Sequence, residues 1–324
     1  FGQELVPDSG CGSWLLENES TNLVPYSEDF SNASWIKHTG IVLTSNQASP
    51  DGGNNAYKVQ GTIGSSYVLD GGFGAITPQS RSIYMRADTN GVVYSLGDNR
   101  SNQINVTTEW QRFELQEVSA SFYAVDFRGA GVTLDTVYIW GAQVEQQSYA
   151  TSYIPTSGAS STRLRDLATD SGNATLINST EGVLYAEINT LNQTGTFRQI
   201  NLSNGNASSR IYISKRADNN LLEFRMENAL GSLNFGFNVD TTSDFVKVAF
   251  RYGVNNFAVF INGVNKNVSP IGSTFALGTL NDLQFSSPLN QPFFGKVKAL
   301  AVYKEALTDA NLRCLTYPPA VATT

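Results

Sequence analysis

Hydrophobic and polar residues alternate at period two in short runs along most of the chain. Residues 56–59, 82–86, 92–96, 110–115, 122–127 and 137–140 are such runs in the first half. In the second half Leu222, Phe224 and Met226 point one way and Glu223, Arg225 and Glu227 the other. Val246, Val248, Phe250 and Tyr252 likewise alternate with Lys247, Ala249 and Arg251. This period predicts half-buried β-strands. Residues 49–53, 70–72 and 97–99, rich in Gly, Asp and Asn, fall between the runs and supply turn positions. The run 257–261 leads into Asn262-Gly263, a strong hairpin signal. Residues 14–16 predict a short strand, and 297–303 a strand buried on both faces. Residues 306–315 read as the one helix, with Thr308 as N-cap, Asp309 at its positive end and Pro318-Pro319 barring continuation.

Many short strands with regular turns predict an all-β chain of two antiparallel β-sandwich (jelly-roll) domains. The expected division is an N-terminal arm at 1–21, a sandwich at 22–155, and a Ser/Thr/Gly/Asn-rich linker or edge segment at 156–180. A second sandwich at 181–316 carries the short helix, and a tail follows at 317–324. A length of 324 residues fits two domains at roughly 150 residues each.

Composition narrows the function. Only 15% of residues are charged while 11% are aromatic, a mixture usual in extracellular or virion β-proteins. The net charge of −7 gives no electrostatic footprint for nucleic acid. No apolar run approaches the length of a membrane-spanning helix. One His and two Cys exclude a His/Cys-rich zinc cluster. His38, the only His, reads as a surface or loop residue. The chain begins at Phe1 without a charged-then-apolar leader, which predicts a processed or partial polypeptide. Cys11 and Cys314 are expected to be free thiols.

Two stretches carry a family resemblance. Residues 21–35 (TNLVPYSEDFSNASW), the turn Ser49-Pro50-Asp51-Gly52, and residues 140–156 (WGAQVEQQSYATSYIPT) resemble carbohydrate-binding-like jelly rolls of bacteriophage structural proteins. Residues 179–188 (STEGVLYAEI), 259–263 (VFING) and 294–303 (FGKVKALAVY), with the helix behind them, resemble concanavalin A-like, laminin-G-type jelly rolls. The pairing is similar to tail-fibre, head-fibre or spike proteins. That resemblance implies a non-enzymatic virion appendage, a homotrimer joined to other virion proteins, which adheres to host surface glycans. The alternative is a secreted bacterial carbohydrate-binding protein or accessory module of a polysaccharide-degrading enzyme; a depolymerase ranks below both.

Glycoside hydrolysis needs two carboxylates facing across a bond. Glu223 and Glu227 share a strand face, but Arg225 lies between them, so a solvated polar face is expected and no catalytic residue is assigned. For sugar contact the candidates are Trp35, Tyr67, Asp70, Phe73, Asn234 and Phe235; Trp110 and Trp140 are expected in the core. No cofactor is expected. Calcium is weighed only at Asp218, Asp240 and Asp244, where turn chemistry accounts for the same residues. Ten Asn-x-Ser/Thr sequons occur, and they read as amide-rich turns.

Overall fold

The computed structural model describes residues 5–6, 12–70, 76–168, 171–190, 197–216, 221–266 and 271–317. The chain forms two compact units: residues 19–164, and residues 1–18 together with 165–324. Among the described residues the paired strands run antiparallel, as expected of jelly-roll sandwiches.

The 19–164 unit has two five-stranded sheets. One runs Val42–Gln47, Ala56–Gln60, Thr136–Glu145, Ser80–Arg86, Gln111–Gln116; the other runs Ile36–Lys37, Tyr67–Asp70, Phe122–Asp126, Gly91–Tyr94, Gln103–Val106. Val59, Ile83, Met85, Val137 and Ile139 from the first meet Val68, Val93, Ile104, Val106 and Phe122 from the second in one core. The two-residue period assigns these faces: Ser82, Tyr84 and Arg86 lie on the other side of their strand. Between Trp140 and Gln143 the register shifts at Gly141, whose φ of +65° suits glycine. The slip keeps Ala142 and Val144 in the core after Ile139.

Polar side chains tie the two ends of this unit together. Buried Asn22 donates to the carbonyls of Ala142 and Ile154, and its oxygen accepts from the amides of Val24 and Val144. Buried Glu145 accepts from the Ser20 hydroxyl and from the Thr151 amide and hydroxyl. Ser27 and Thr156 exchange amide-to-hydroxyl bonds of 2.9 and 2.8 Å. Ser161–Arg163 pairs with Ser20–Asn22.

The other unit has a seven-stranded sheet, ordered Leu5–Val6, Ser13–Leu16, Gly295–Tyr303, Glu181–Asn189, Val246–Gly253, Ala258–Ile261, Val264–Asn265. Its five-stranded sheet is Gly231–Asn238, Leu221–Asn228, Arg210–Lys215, Arg198–Ser203, Asp282–Gln284. Leu184, Ala186, Val248 and Phe250 face Ile200, Ile211, Ile213, Leu222 and Phe224 across the core. The helix Asp309–Thr316 covers the opposite face of the larger sheet, with Leu312 against Val183, Tyr185, Ala249 and Phe260. Thr308 caps it by accepting from the Asn311 amide. Cys314 is an exposed free thiol on this helix, and Cys11 lies outside the described residues.

Three expectations are revised. Residues of the proposed arm do not form one segment: Ser13–Leu16 completes the larger sheet by pairing with Gly295–Val297, while Ser20–Asn22 pairs with Ser161–Arg163. The strand buried on both faces is Glu181–Asn189, which has a neighbour on each side and the helix on its outer face. Gly295–Tyr303 is mostly half-buried, since Ser13–Leu16 covers its edge only at its start. The face bearing Glu223 is only partly solvated: Glu223 is 3% exposed, while Arg225 and Glu227 farther along the strand are half-buried.

Candidate functional site

The sequence candidates Trp35, Tyr67, Asn234 and Phe235 each make their contacts within their own unit. Trp35 is fully buried on Phe30 and Phe122, and its Nε1 donates to the Tyr26 carbonyl at 2.8 Å. Tyr67 stacks on half-buried His38 at 4.7 Å and is capped by the Arg128 guanidinium at 3.9 Å, so its ring is already engaged. Arg128 is held by buried Asp126 through bonds of 2.8 and 2.6 Å. Asp70 is placed by its backbone pairing with Phe122, and Phe73 lies outside the described residues. Asn234 and Phe235 are adjacent on one strand and face opposite ways. Phe235 packs inward on Phe250, and Asn234 donates to Glu223 at 2.7 Å. Trp140 is buried against Tyr84 and Tyr153, and Trp110 is half-buried beside Arg86.

The calcium candidates behave as turn caps. Asp240 accepts from the amide and hydroxyl of Thr242 and from the Ser243 hydroxyl, and the Ser243 bond leads in pulling its carboxyl far below the usual range. Asp244 accepts from the Phe245 amide, and Asp218 lies outside the described residues. Among the described residues no three His, Cys, Asp or Glu side chains converge to hold a metal. Glu223 and Glu227 are tied to cations: Glu227 to Arg210 at 2.6 Å and Arg225 at 2.8 Å, Glu223 to Arg216 at 3.5 Å.

The structure instead brings together a cleft of about 350 Å³ in the 19–164 unit. Tyr26, Glu28, Asp29, Ser45, Asn46, Asn54, Asn55, Tyr57, Thr156 and Ser157 line it. Three local features build it. The Ser27–Thr156 exchange and the Trp35 bond hold the segment carrying Tyr26, Glu28 and Asp29. The pairing of Gln47 with Ala56, and the register shift between Thr44 and Gln47, set Ser45 and Asn46 across from Tyr57. Asn46 adopts φ +59° at the bulge there, a backbone state that asparagine tolerates better than most residues.

Both carboxylates are fixed by neutral donors. Glu28 accepts from Asn55 Nδ2 at 2.6 Å and from the Tyr153 hydroxyl at 2.9 Å, with Ser27 Oγ 2.6 Å from that hydroxyl. Asp29 Oδ1 accepts from the Ser31 hydroxyl and amide at 2.5 and 3.1 Å and from the Tyr57 hydroxyl at 3.0 Å. The Ser31 hydroxyl leads in holding the Asp29 carboxyl below its ordinary 3.8, against a smaller opposing push from burial. Burial pushes the Tyr57 and Tyr153 phenols up, so both stay protonated and donate. The cleft therefore presents two positioned carboxylates, three Asn side chains and two tyrosines. Carboxylate and amide oxygens accept from hydroxyls, amide nitrogens donate to them, and an aromatic ring covers the apolar face of a sugar.

Of these residues Tyr26, Glu28, Asp29 and Thr156 fall in the stretches that carry the family resemblance and Tyr57 in an alternating run, and none is among the sugar-contact candidates of the sequence. The chemistry was visible in the pairs Glu28-Asp29 and Asn54-Asn55, each flanked by a tyrosine two residues away. Their convergence depends on contacts between distant segments.

No family model and no curated protein matches the chain. Among solved structures, it is similar to a CBM40 module of a Ruminococcus gnavus IT-sialidase bound to α2,3-sialyllactose. The identity is 16% over 46% of this chain and 94% of that one, with a TM-score of 0.38. Domain 4 of a GH43 extracellular arabinanase from Geobacillus stearothermophilus, in complex with arabinotriose, is 16% identical over 49% of this chain and 73% of that one (TM-score 0.37). Domains LG4-5 of the mouse laminin α1 chain are 9% identical over 94% of this chain and 96% of that one (TM-score 0.30).

Proposed function

We propose that this chain is a non-enzymatic glycan-binding protein and that the cleft between Tyr26, Glu28, Asn46, Asn54 and Tyr57 holds the sugar. The single observation that carries this reading is the cleft itself: hydrogen-bonding groups fixed in place and tyrosine rings in one concavity. Positions fixed beforehand reduce the ordering cost of binding. The finer reading rests on the sequence resemblance. The chain is an appendage subunit of a virion, assembled as a homotrimer with other virion proteins, and the cleft adheres to host surface polysaccharide.

A glycan array probed with the intact chain tests the binding. Exposed Ser45 lines the cleft without entering the core, so Ser45→Trp should fill the cleft while leaving the fold intact. Binding to a subset of glycans that Ser45→Trp lowers at least tenfold is the expected result. An array without any bound glycan removes the proposal. Mass photometry of the same sample tests the assembly, and a monomer at all concentrations removes the trimer.

A further inference from the structure

We propose that the cleft selects an uncharged sugar unit and rejects units bearing a carboxylate or sulfate, an inference that rests on the glycan reading of this same cleft. Glu28 and Asp29 are neighbours in its wall, and no Lys, Arg or His is among the lining residues. Each carboxylate is satisfied by neutral donors, namely Asn55 and Tyr153 for Glu28, and Ser31 and Tyr57 for Asp29. Among the described residues neither makes an ion pair. Lys37 lies close enough for Asp29 to act on it, and its ammonium donates to the carbonyls of Ser31 and Asn32 at 2.9 and 2.6 Å. Asp51 adds a further negative charge close enough to act on Tyr153.

The consequence is a local negative field in the concavity where the ligand must sit. Hydroxyl groups meet this field favourably, because each donates a proton toward an oxygen that retains accepting capacity. A ligand anion meets two like charges at close range with no compensating donor of opposite charge. Like-charge juxtaposition is a common physical basis for rejecting a wrong partner. The expected discrimination is about tenfold or more in Kd between a neutral oligosaccharide and its acidic counterpart, shrinking as salt is raised.

The test uses the intact chain and matched oligosaccharide pairs, each with and without a carboxylate or sulfate. Three proteins are compared: wild type, Glu28→Gln and Ser45→Trp. Glu28→Gln keeps the shape of the site, since the new amide oxygen can accept from Asn55 and the new amide nitrogen can face Tyr153. The supporting result is wild-type preference for the neutral member of each pair, a smaller preference in Glu28→Gln, and loss of binding in Ser45→Trp. Equal or tighter binding of the acidic members that Ser45→Trp abolishes overturns the charge selection while glycan binding at the cleft stands. Binding unaffected by Ser45→Trp places the sugar elsewhere and overturns the cleft itself.

Discussion

At the scale of single residues, the polar groups of the 19–164 unit do two jobs with the same chemistry. Asn22 and Glu145 are buried and spend their hydrogen bonds joining chain ends. Glu28 and Asp29 face a cleft and spend theirs on staying in place. Asp29 carries a pH signature. Its carboxyl is held below 3.8 by the Ser31 hydroxyl first and the Tyr57 hydroxyl next. A depressed carboxyl contributes stability that is fully present above its unfolded value. That stability is lost as pH falls through the folded-state value. Asp29→Asn should therefore melt earlier than wild type at pH 7, and the gap should begin to narrow below about pH 3.8 and close as pH falls through the lower folded-state value, where the wild-type carboxyl takes up its proton. Thermal melts at pH 7, 5 and 3 check this; a gap that persists unchanged at pH 3 would count against it.

At the scale of elements, the two-residue period was the most legible signal. It assigned Ile83 and Met85, Phe224 and Met226, and Val248 and Phe250 to cores, where the structure has them. It also explains why Asn234 and Phe235 cannot act together, since neighbours on a strand face opposite ways. Four of the ten sequons are turns: Asn32, Asn173, Asn178 and Asn206 each accept from the amide two residues on, which belongs to the sequon's own Ser or Thr, whereas Asn105 and Asn201 lie within strands. Burial on two faces was less legible. Residues 297–303 and 181–189 are similarly apolar, and only sheet order reveals that the second is central. That central strand begins against tight neighbours. A Cβ on Gly182 would lie 2.5 Å from the Tyr303 carbonyl and 2.6 Å from the Tyr252 hydroxyl. Gly182→Ala should cost about 1–3 kcal/mol by forcing the strands apart. A urea titration followed by tryptophan fluorescence measures it, and an unchanged midpoint would show that the sheet yields.

At the scale of the whole molecule, the class and the sandwich architecture could be read from pattern, but the candidate site could not. Its wall draws on residues 26–29, 45–57 and 156–157, brought together by the Ser27–Thr156 exchange and the pairing of Gln47 with Ala56. Reading along the chain favours aromatic residues in loops, whereas Tyr57 sits in a strand and Tyr26 is steered by buried Trp35. Non-local order also gives residues 1–18 structural weight. Leu16 is in the core, and Trp14 to Leu16 cover the open edge of the strand that begins at Gly295. Removing residues 1–18 should cost about 2–5 kcal/mol, the range for losing a buried leucine. It should also promote edge-to-edge association. Melting temperature and size-exclusion profile against concentration would show both.

That pairing also sets a timetable for synthesis. Leu16 is made before its partner Gly295, which follows about 280 residues later. At typical translation rates the first strand waits on the order of tens of seconds. Residues 19–164 can complete their own sheets during that interval. The larger sheet, by contrast, closes only when residues 295–303 arrive, so a strand made before the whole 19–164 unit is docked after it.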